Sequence, residues 1–129
     1  MNDVIQRMMV PGRAPPFSHY CDVVRAGPHI WLSGAVGIAG DGHVPDDVGG
    51  QFQVALDNLD ACLRAAGGQV RDIVKVNIYL TNIADRSIIN EYRIKYFGEC
   101  RPASTLVEVS ALVLPSLKVE IEATAYIAG

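Results

Sequence analysis

Residues 100–125 read CRPASTLVEVSALVLPSLKVEIEATA, and this stretch decides the fold. It predicts two strands joined by a turn at Pro115, because polar and apolar residues alternate on either side of that proline. The second strand, residues 119–127, has a small or apolar residue at every other position. Glu120 lies on this strand between two apolar residues. The pattern therefore predicts β-structure that holds a carboxylate among apolar neighbours.

Two amphipathic helices are predicted ahead of these strands. The first covers residues 48–66, where apolar residues recur at spacings of three and four, and the Gly67-Gly68 pair ends it. The second begins at Asp85, a suitable N-cap residue, and Gly98 ends it. The residues predicted to face inward are Val48, Phe52, Ala55, Leu56, Leu59, Leu63 and Ala66 on the first helix, and Ile88, Ile89, Tyr92, Tyr96 and Phe97 on the second.

Three further strands complete the predicted domain. Residues 20–25 and 30–36 are expected to form a hairpin about Gly27-Pro28, after a Pro-rich extended lead-in at residues 1–18. Residues 74–80 alternate in polarity, which places every second residue from Val74 onward on the core side. The order ββαβαββ predicts a two-layer α+β fold with two helices on one mixed sheet, in a single domain spanning residues 1–129.

The sheet face away from the helices is predicted to be mixed in character. Leu106 is expected there beside the polar residues Lys75, Asn77, Tyr79, Glu120, Glu122 and Tyr126. In a monomer such a face would be solvated, whereas in a trimer it would line a central barrel with binding clefts between subunits. The pattern is therefore compatible with self-association.

The composition excludes several classes of protein. Of the 129 residues, 50% are hydrophobic and 19% are charged, and the net charge is −3. This balance argues against nucleic-acid binding, which needs a basic stripe, and no apolar run reaches the ~20 residues of a membrane span. Because no basic segment followed by an apolar block opens the chain, a cytoplasmic location is expected. Cys21, Cys62 and Cys100 are irregularly spaced and predict neither a disulfide framework nor a zinc knuckle.

Glu120 is the leading candidate for chemistry. Partial burial on an apolar strand would raise the pKa of its carboxyl group and let it hold or transfer a proton near neutrality. The alternative is a structural carboxylate that is solvated or paired with Lys75 or Lys118. The three histidines lack metal-ligand spacing, so no metal site is predicted.

Other candidate residues suit ligand binding, each with a simpler alternative. Arg101 and Arg25 carry guanidinium groups that match a substrate carboxylate, although each would also fit as a surface residue. At Ser33-Gly34 a hydroxyl group precedes a glycine, which would let backbone N–H donors approach a ligand closely. The alternative is that the Ser-Gly pair only marks the end of a strand at a turn. Asn90 on the second helix either faces the same cleft or is solvated. Tyr20 either presents its hydroxyl there or packs in the core.

Two correctly spaced blocks carry a family resemblance, PASTLVEV at residues 102–109 and VEIEA at residues 119–123. Weaker blocks support them along the chain: IWLSG at 30–34, ALDNL at 55–59, AAGG at 65–68, DIVKV at 72–76, IN at 89–90 and YF at 96–97. Together these blocks resemble the RidA (YjgF) family of enamine and imine deaminases, over about residues 14–125.

The resemblance implies a chorismate-mutase-like α+β fold and a homotrimer with three clefts between adjacent subunits. It also implies hydrolysis of a reactive enamine or imine to a carbonyl compound and ammonia, with no cofactor or metal. By position, Glu120 matches the glutamate that orients or activates water. Ser33 with Gly34, Tyr20 and Asn90 match the residues that shape the pocket.

One position departs from the family pattern. In the family an arginine that binds the substrate carboxylate follows Pro-Ala directly, and Ser104 stands there in this chain. Leu106 replaces a frequent cysteine or threonine, and strand parity puts it on the same face as Ser104, so both are expected to line the cleft. A serine cannot supply a bidentate cation, and losing such a contact typically costs a few kcal/mol, or roughly two to three decades in binding or rate.

Three functions are compatible with these residues. The first is a deaminase whose substrate is shifted from simple amino-acid imines, with Arg101 or Arg25 replacing the missing cation or with a larger unsaturated amine as substrate. The second is a non-catalytic trimer that binds a small carboxylate or a partner protein. The third, RNA cleavage or inhibition of translation, is opposed by the acidic balance. Retention of Glu120, Ser33 and Asn90 favours the deaminase.

Overall fold

The computed structural model describes residues 4–128, whose backbone forms six strands and two α-helices. The strands are β1 (Ile5–Met8), β2 (Val23–Ala26), β3 (His29–Val36), β4 (Ile73–Leu80), β5 (Ala103–Glu108) and β6 (Val119–Tyr126). The helices are α1 (Val48–Ala65) and α2 (Arg86–Phe97), and 3-10 turns at Val70–Asp72 and Ile83–Asp85 precede β4 and α2.

The strands form one mixed sheet in the order β1-β2-β3-β6-β4-β5. Neighbouring strands are antiparallel except for β4 and β5, which run parallel and are connected through α2. β6 comes last in chain order among the described strands but lies in the middle of the sheet, between β3 and β4. The predicted α+β architecture, with two helices on a mixed sheet, is confirmed.

β1 lies within the segment that was predicted to be an extended lead-in. Its residues, IQRM, are exposed apart from the partly buried Met8, so no alternation marks a core-facing side. The strand pairs along its length with β2, and just beyond the pairing Val10 N–H donates to Asp22 Oδ2 at 2.8 Å. β2 itself begins at Val23, three residues later than predicted. An edge strand held mainly by backbone hydrogen bonds leaves little signal in its side-chain pattern.

α1 follows its prediction closely. Every residue predicted to face inward is buried, and burying a large apolar side chain stabilises the fold by about 1.5–3 kcal/mol. Asp47 caps the first turn by accepting a hydrogen bond from Gly50 N–H at 2.8 Å. At the other end Gly67 has a φ of +92°, and Gly68 N–H donates to Leu63 O at 2.9 Å. These glycines therefore end the helix as the sequence predicts.

α2 differs from its prediction in two details. Ile88 is 46% exposed whereas Ile89 is fully buried, so the inward face is narrower than expected. Asp85 occupies the N-cap position but its side chain makes no capping bond, because its backbone is already helical at the end of the 3-10 turn. Asn82 caps that turn instead, accepting a backbone hydrogen bond at 3.0 Å. Gly98 ends α2 with a positive φ, as predicted.

Val74 on β4 and Leu106 on β5 lie on the opposite side of the sheet from the one predicted from the sequence. The pairing of β4 with β6 shifts between Ile73 and Lys75, which inserts one extra residue. Ile73 is therefore buried and Val74 is 50% exposed, although simple alternation predicts Val74 inside. Leu106 pairs with Ile78 and packs against the core beneath the helices, so its predicted position on the opposite face is wrong.

Candidate active site

A cavity of about 500 Å³ lies beside the C-terminal half of β3. Its walls come from the segment at residues 13–22 and from β3, α1 and β6. The predicted site residues that line it are Tyr20, Ser33, Gly34 and Glu120. The volume falls within the range of ~300–1,000 Å³ that is typical of small-molecule sites, so a compact substrate fits.

A β-bulge in β3 shapes the cavity wall. The pairing of β3 with β6 shifts between Leu32 and Ala35. Ser33 and Gly34 consequently face the single residue Glu122 on β6. An extra residue of this kind bends the strand and redirects its side chains, a common feature beside functional sites. The bulge therefore disrupts the regular pairing of the sheet at the cavity.

Gly34 lies in close contact with the carboxyl group of Glu120. A Cβ atom at residue 34 would overlap Glu120 Oε2 and press on the rest of the carboxyl group. Because the φ of Gly34 is not positive, the effect of a larger residue here would come from this close approach, by displacing the end of the Glu120 side chain, and not from backbone strain. The carboxyl group of Glu120 thus packs directly against the backbone of Gly34.

The surroundings of Glu120 suit proton transfer. Its side chain is half-buried, and burial, followed by the negative charge of Glu122, raises the pKa of its carboxyl group. Lys75 donates to Thr105 Oγ1 at 2.9 Å, and Lys118 Nζ donates to a backbone carbonyl at 2.8 Å. Within residues 4–128 Glu120 forms no ion pair, so no cation offsets the effect of burial on its pKa.

Glu122 is held beside Glu120 by two donors. Tyr79 Oη donates to Glu122 Oε1 at 2.7 Å, and Asn77 Nδ2 donates to Glu122 Oε2 at 3.4 Å. The hydrogen bond to Glu122, followed by burial, raises the pKa of Tyr79 to about 12, so the phenol stays protonated as a donor. These contacts occupy Glu122 and leave the carboxyl group of Glu120 facing the cavity.

Ser33 and Tyr20 form part of the wall next to Glu120. Ser33 Oγ donates to Cys21 O at 2.6 Å, and Ser33 N–H donates to Asp22 O at 3.1 Å. These bonds tie β3 to the segment before β2. Because the hydroxyl proton is used, Ser33 offers its remaining oxygen lone pairs to a ligand donor. Tyr20 lines the same cavity and is 46% exposed.

The remaining predicted site residues lie outside this cavity. Asn90, Arg101 and Ser104 are exposed, and Leu106 packs against the core. Ser104 is on β5, two strands from β6, and it faces the helix side of the sheet whereas Glu120 faces the other side. Within one chain a small ligand cannot contact both. Ser104 can therefore join a site with Glu120 only from another subunit.

Ser104 has an arginine neighbour that was not predicted. Arg93 Nη2 donates to Ser104 Oγ at 2.9 Å, from α2 to β5. Burial lowers the pKa of the Arg93 guanidinium, which still stays charged at neutral pH. Asn90 lies three residues earlier, on the same side of α2. A guanidinium group thus lies next to Ser104, but it belongs to Arg93 on α2 and not to position 104 of β5.

Arg25 and Arg101, the predicted replacement cations, do not line the cavity. Arg25 Nη1 donates to Ala66 O at 2.7 Å, and its Nε donates to Gly27 O at 3.0 Å. Arg25 therefore joins the end of α1 to the turn between β2 and β3. Arg101 is exposed in the loop before β5.

Several polar residues of the cavity wall were not predicted as site residues: Arg13, Ser18, Asp22, Asn58 and Glu122. Arg13 Nη1 donates to Asn58 Oδ1, and Asn58 Nδ2 donates to Val36 O and Ile38 O at 3.0 Å each. Asn58 carries a detectable signal, because it is a polar residue at helical spacing from buried residues of α1. Arg13 has no such signal, since the Pro-rich segment around it shows no periodicity.

The charged side chains along the cavity are Arg13, Asp22, Glu120 and Glu122. Within residues 4–128 no group of three or more His, Cys, Asp or Glu side chains is arranged to hold a metal ion. None of the helices in that range is long and apolar enough to cross a membrane.

Comparison with known proteins identifies the family. The family model described as Endoribonuclease L-PSP matches residues 11–127. The chain belongs to this family, which includes RidA and YjgF. A RutC family protein of Pyrococcus horikoshii is 38% identical over 114 residues, which cover 86% of this chain and 89% of that protein. A 2-iminobutanoate/2-iminopropanoate deaminase of Dermatophagoides farinae is 32% identical over 109 residues, which cover 83% of this chain and 84% of that protein.

The RidA-family fold is also found by structural comparison. The crystal structure of the YjgF protein of Escherichia coli matches with a TM-score of 0.86 at 31% identity. The match covers 94% of this chain and 98% of the YjgF chain. The sheet and both helices described above are therefore those of the RidA family.

Proposed function

We propose that this RidA-family chain is a deaminase that hydrolyses a reactive enamine or imine to a carbonyl compound and ammonia, with residues 1–129 acting as one domain. The observation that carries the proposal is the environment of Glu120. Its carboxyl group is half-buried, packs over Gly34 in a cavity of about 500 Å³ and has a raised pKa. The deaminase relative from Dermatophagoides farinae supports the same reaction class.

In the proposed reaction Glu120 moves protons between water and the substrate nitrogen. The carboxylate takes a proton from water as the water oxygen bonds to the imine carbon, and the C=N electron pair moves to nitrogen. The carboxyl group returns the proton to nitrogen, which gives a carbinolamine. Loss of the hydroxyl proton and protonation of the amine then break the C–N bond, form the carbonyl and release ammonia. An enamine enters the same sequence after protonation at carbon, and no metal or cofactor takes part.

The raised pKa of Glu120 suits both proton transfers. A carboxyl group with an ordinary pKa is a weak base at neutral pH and is rarely protonated there. A pKa closer to the working pH makes the carboxylate a stronger base and keeps its acid form accessible. Burial beside Glu122 therefore supports the proposed role of Glu120 as a proton carrier.

The proposal includes a homotrimer with the sites between subunits. Ser104 and Glu120 face opposite sides of the sheet, so a pocket that uses both needs two chains. In the proposed assembly Asn90, Arg101, Ser104 and Leu106 of one subunit approach the Glu120 cavity of the next. Because Ser104 stands where the family resemblance expects an arginine, the proposed substrate is shifted from simple amino-acid imines.

An aromatic cluster on the sheet face away from the helices supports this assembly. His29 stacks on Trp31 with ring centroids 5.7 Å apart, and its ring meets Tyr126 edge-on at 5.2 Å. Trp31 and Tyr126 are each 46% exposed in the single chain. Aromatic residues are enriched in the centres of protein interfaces, so this cluster is the proposed contact between subunits.

Ammonia release from freshly generated 2-iminopropanoate, measured above the spontaneous rate, tests the reaction. Although the proposed natural substrate differs from this simple imine, the wild-type chain is still expected to accelerate ammonia release from it, and Glu120→Gln is expected to lower the catalysed rate by about 10²–10⁴-fold, because the amide cannot carry the proton. Asp46→Asn is the matched control, since it removes an exposed carboxylate outside the cavity and should keep the wild-type rate.

Other outcomes separate the competing functions. Full deaminase activity in Glu120→Gln would contradict the proposed mechanism. Activity that appears only in Ser104→Arg would show that the scaffold and Glu120 are competent and that the natural substrate has no carboxylate at that position. If neither protein is active while 2-oxo acids raise the melting temperature of the wild-type chain, the binding function is favoured.

A further inference from the structure

We infer that Arg13 binds the carboxylate of the substrate and thereby selects anionic enamines and imines. The inference rests on the proposed deaminase function and names the substrate class of the same site. It also identifies a cation on the chain that carries Glu120, although position 104 holds a serine.

Arg13 supplies the positive charge of the cavity. The other charged groups among the described lining residues are carboxylates, those of Asp22, Glu120 and Glu122. Arg13 forms no ion pair within residues 4–128, so no protein carboxylate neutralises it at contact distance. An anionic group that enters a cavity with several carboxylates needs such a cation to offset their repulsion.

The guanidinium of Arg13 is held in one orientation. Its Nη1 donates to Asn58 Oδ1, and the amide nitrogen of Asn58 is fixed by the backbone carbonyls of Val36 and Ile38 at 3.0 Å each. Asn58 belongs to α1, and the two carbonyls lie at the end of β3 and just beyond it. The guanidinium is therefore oriented by the sheet and a helix together, and a ligand need not arrange it.

The opposite edge of the guanidinium has an unfilled donor. Arg13 Nε is buried and has no hydrogen-bond partner among the described residues. Buried donors are nearly always partnered, so an unpaired one points to a missing acceptor. With Nη1 bound to Asn58, the Nε and Nη2 groups form the edge that matches a carboxylate through two parallel hydrogen bonds. A carboxylate is thus the acceptor that this edge fits.

No other described arginine is placed as well. Arg25 is bonded to the end of α1, and Arg101 is outside the cavity. Arg93 lies beside Ser104, which faces the other side of the sheet from Glu120, so it reaches this cavity only from a second subunit. Arg13 and Glu120, by contrast, line the same cavity of one chain.

Calorimetric binding of 2-oxobutanoate and of its neutral amide, 2-oxobutanamide, tests the inference without turnover. Arg13→Gln is expected to weaken binding of the acid roughly 10- to 100-fold and to leave binding of the amide unchanged, because only the acid loses a charged contact. Arg13→Lys, which keeps the charge but not the two-bond geometry, should weaken acid binding less. Arg71→Gln removes an exposed arginine outside the cavity and is expected to match the wild type.

Several results would overturn the role of Arg13. These are no binding of either ligand to the wild-type chain, equal affinity for the acid and the amide, or an acid affinity unchanged in Arg13→Gln. A loss that appears in Arg93→Gln instead would assign the cation to α2. Equal weakening of both ligands would make Arg13 a structural residue. If Arg13→Gln does not fold, as judged by circular dichroism, the weakening in Arg13→Lys decides the question.

Turnover separates this inference from the deaminase proposal. Arg13→Gln should raise KM for 2-iminopropanoate more than it lowers kcat, whereas Glu120→Gln should lower kcat and still bind 2-oxobutanoate. Arg13-dependent binding without any wild-type turnover would leave the carboxylate site standing and overturn the deaminase. A turnover rate and KM that do not change in Arg13→Gln would leave the deaminase proposal standing and overturn the role of Arg13.

Discussion

Glu120 and Glu122 lie two residues apart on β6 and both line the cavity, yet their surroundings differ. Glu122 accepts hydrogen bonds from Tyr79 and Asn77, whereas Glu120 is half-buried over the backbone of Gly34. Paired carboxyl groups in unlike environments commonly take different roles, one as a proton carrier and one as a fixed charge. Here the fixed charge of Glu122 also raises the pKa of its neighbour.

The pH dependence of activity should report this coupling. Glu122→Gln removes a negative charge that raises the pKa of Glu120, so the pKa of Glu120 should fall. Because the proposed reaction begins with ionised Glu120, the acidic limb of the kcat/KM profile should then move to lower pH. The measurement is the profile of both proteins with 2-iminopropanoate, corrected for spontaneous hydrolysis.

Tyr79→Phe provides the control for this prediction. It removes the hydrogen bond at 2.7 Å but keeps the carboxylate of Glu122, so the acidic limb should stay close to that of the wild type. A limb that moves to higher pH in Glu122→Gln, or does not move, would contradict the coupling.

At this scale the sequence predicts the site only in part. Glu120, Ser33, Gly34 and Tyr20 were predicted from strand pattern and family resemblance, and all of them line the cavity. Arg13 was not predicted, because a residue in an aperiodic segment reaches the cavity only when the fold brings that segment against α1. The close packing of Gly34 against Glu120 likewise depends on the bulge in β3, which no local pattern marks.

The elements themselves were largely predictable, and their registers were not. α1 has a long run of apolar residues at helical spacing, and each residue predicted to face inward is buried. The irregular registers occur where β6 pairs with β3 and with β4, strands that are distant in sequence. Alternation within one strand cannot reveal a residue inserted relative to its partner, which is why the side of Val74 was predicted wrongly.

Gln51 links three elements and offers a test of how they are joined. It is 1% exposed, its Nε2 donates to Pro45 O and Ser116 O at 2.9 Å each, and its Oε1 accepts from Lys118 N–H at 2.8 Å. Gln51→Leu removes these bonds between α1, the loop before it and the entry to β6. The free energy of unfolding, measured with urea, should fall by about 2–4 kcal/mol.

Gln53→Leu is the matched control on the same helix. Gln53 is exposed and, among residues 4–128, its side chain bonds only to Asp57 of the same helix, so its replacement should change the unfolding free energy by less than about 0.5 kcal/mol. Equal effects of the two substitutions would mean that the bonds of Gln51 contribute no net stability.

For the whole molecule, the proposed trimer depends on the aromatic cluster of His29, Trp31 and Tyr126. Light scattering is expected to give a wild-type mass three times that of the 13.9 kDa chain. Trp31→Lys should shift the mass toward the monomer and lower deaminase activity with it, because a buried lysine at the proposed contact is costly and the proposed site needs two chains. The activity loss should be largest at low protein concentration.

Met9→Lys serves as the control for the assembly, since Met9 is a 56% exposed apolar residue that follows the edge strand β1. It should leave the mass of the assembly unchanged. A wild-type chain that is monomeric and active would refute the shared site, and a trimer unaffected by Trp31→Lys would place the contact on another surface.

The central position of β6 has a consequence for synthesis of the chain. β3 is complete at Val36, but the strand that fills the gap between β3 and β4 starts only at Val119. At ~5–20 residues per second, a ribosome needs on the order of 4–16 s to bridge that interval. During it the nascent chain carries the unpaired edge of β3, then the apolar face of α1, and, once β4 has been made, a second unpaired edge; chaperones shield features of this kind. The chain is thus most prone to aggregate during the interval before β6 has been synthesised.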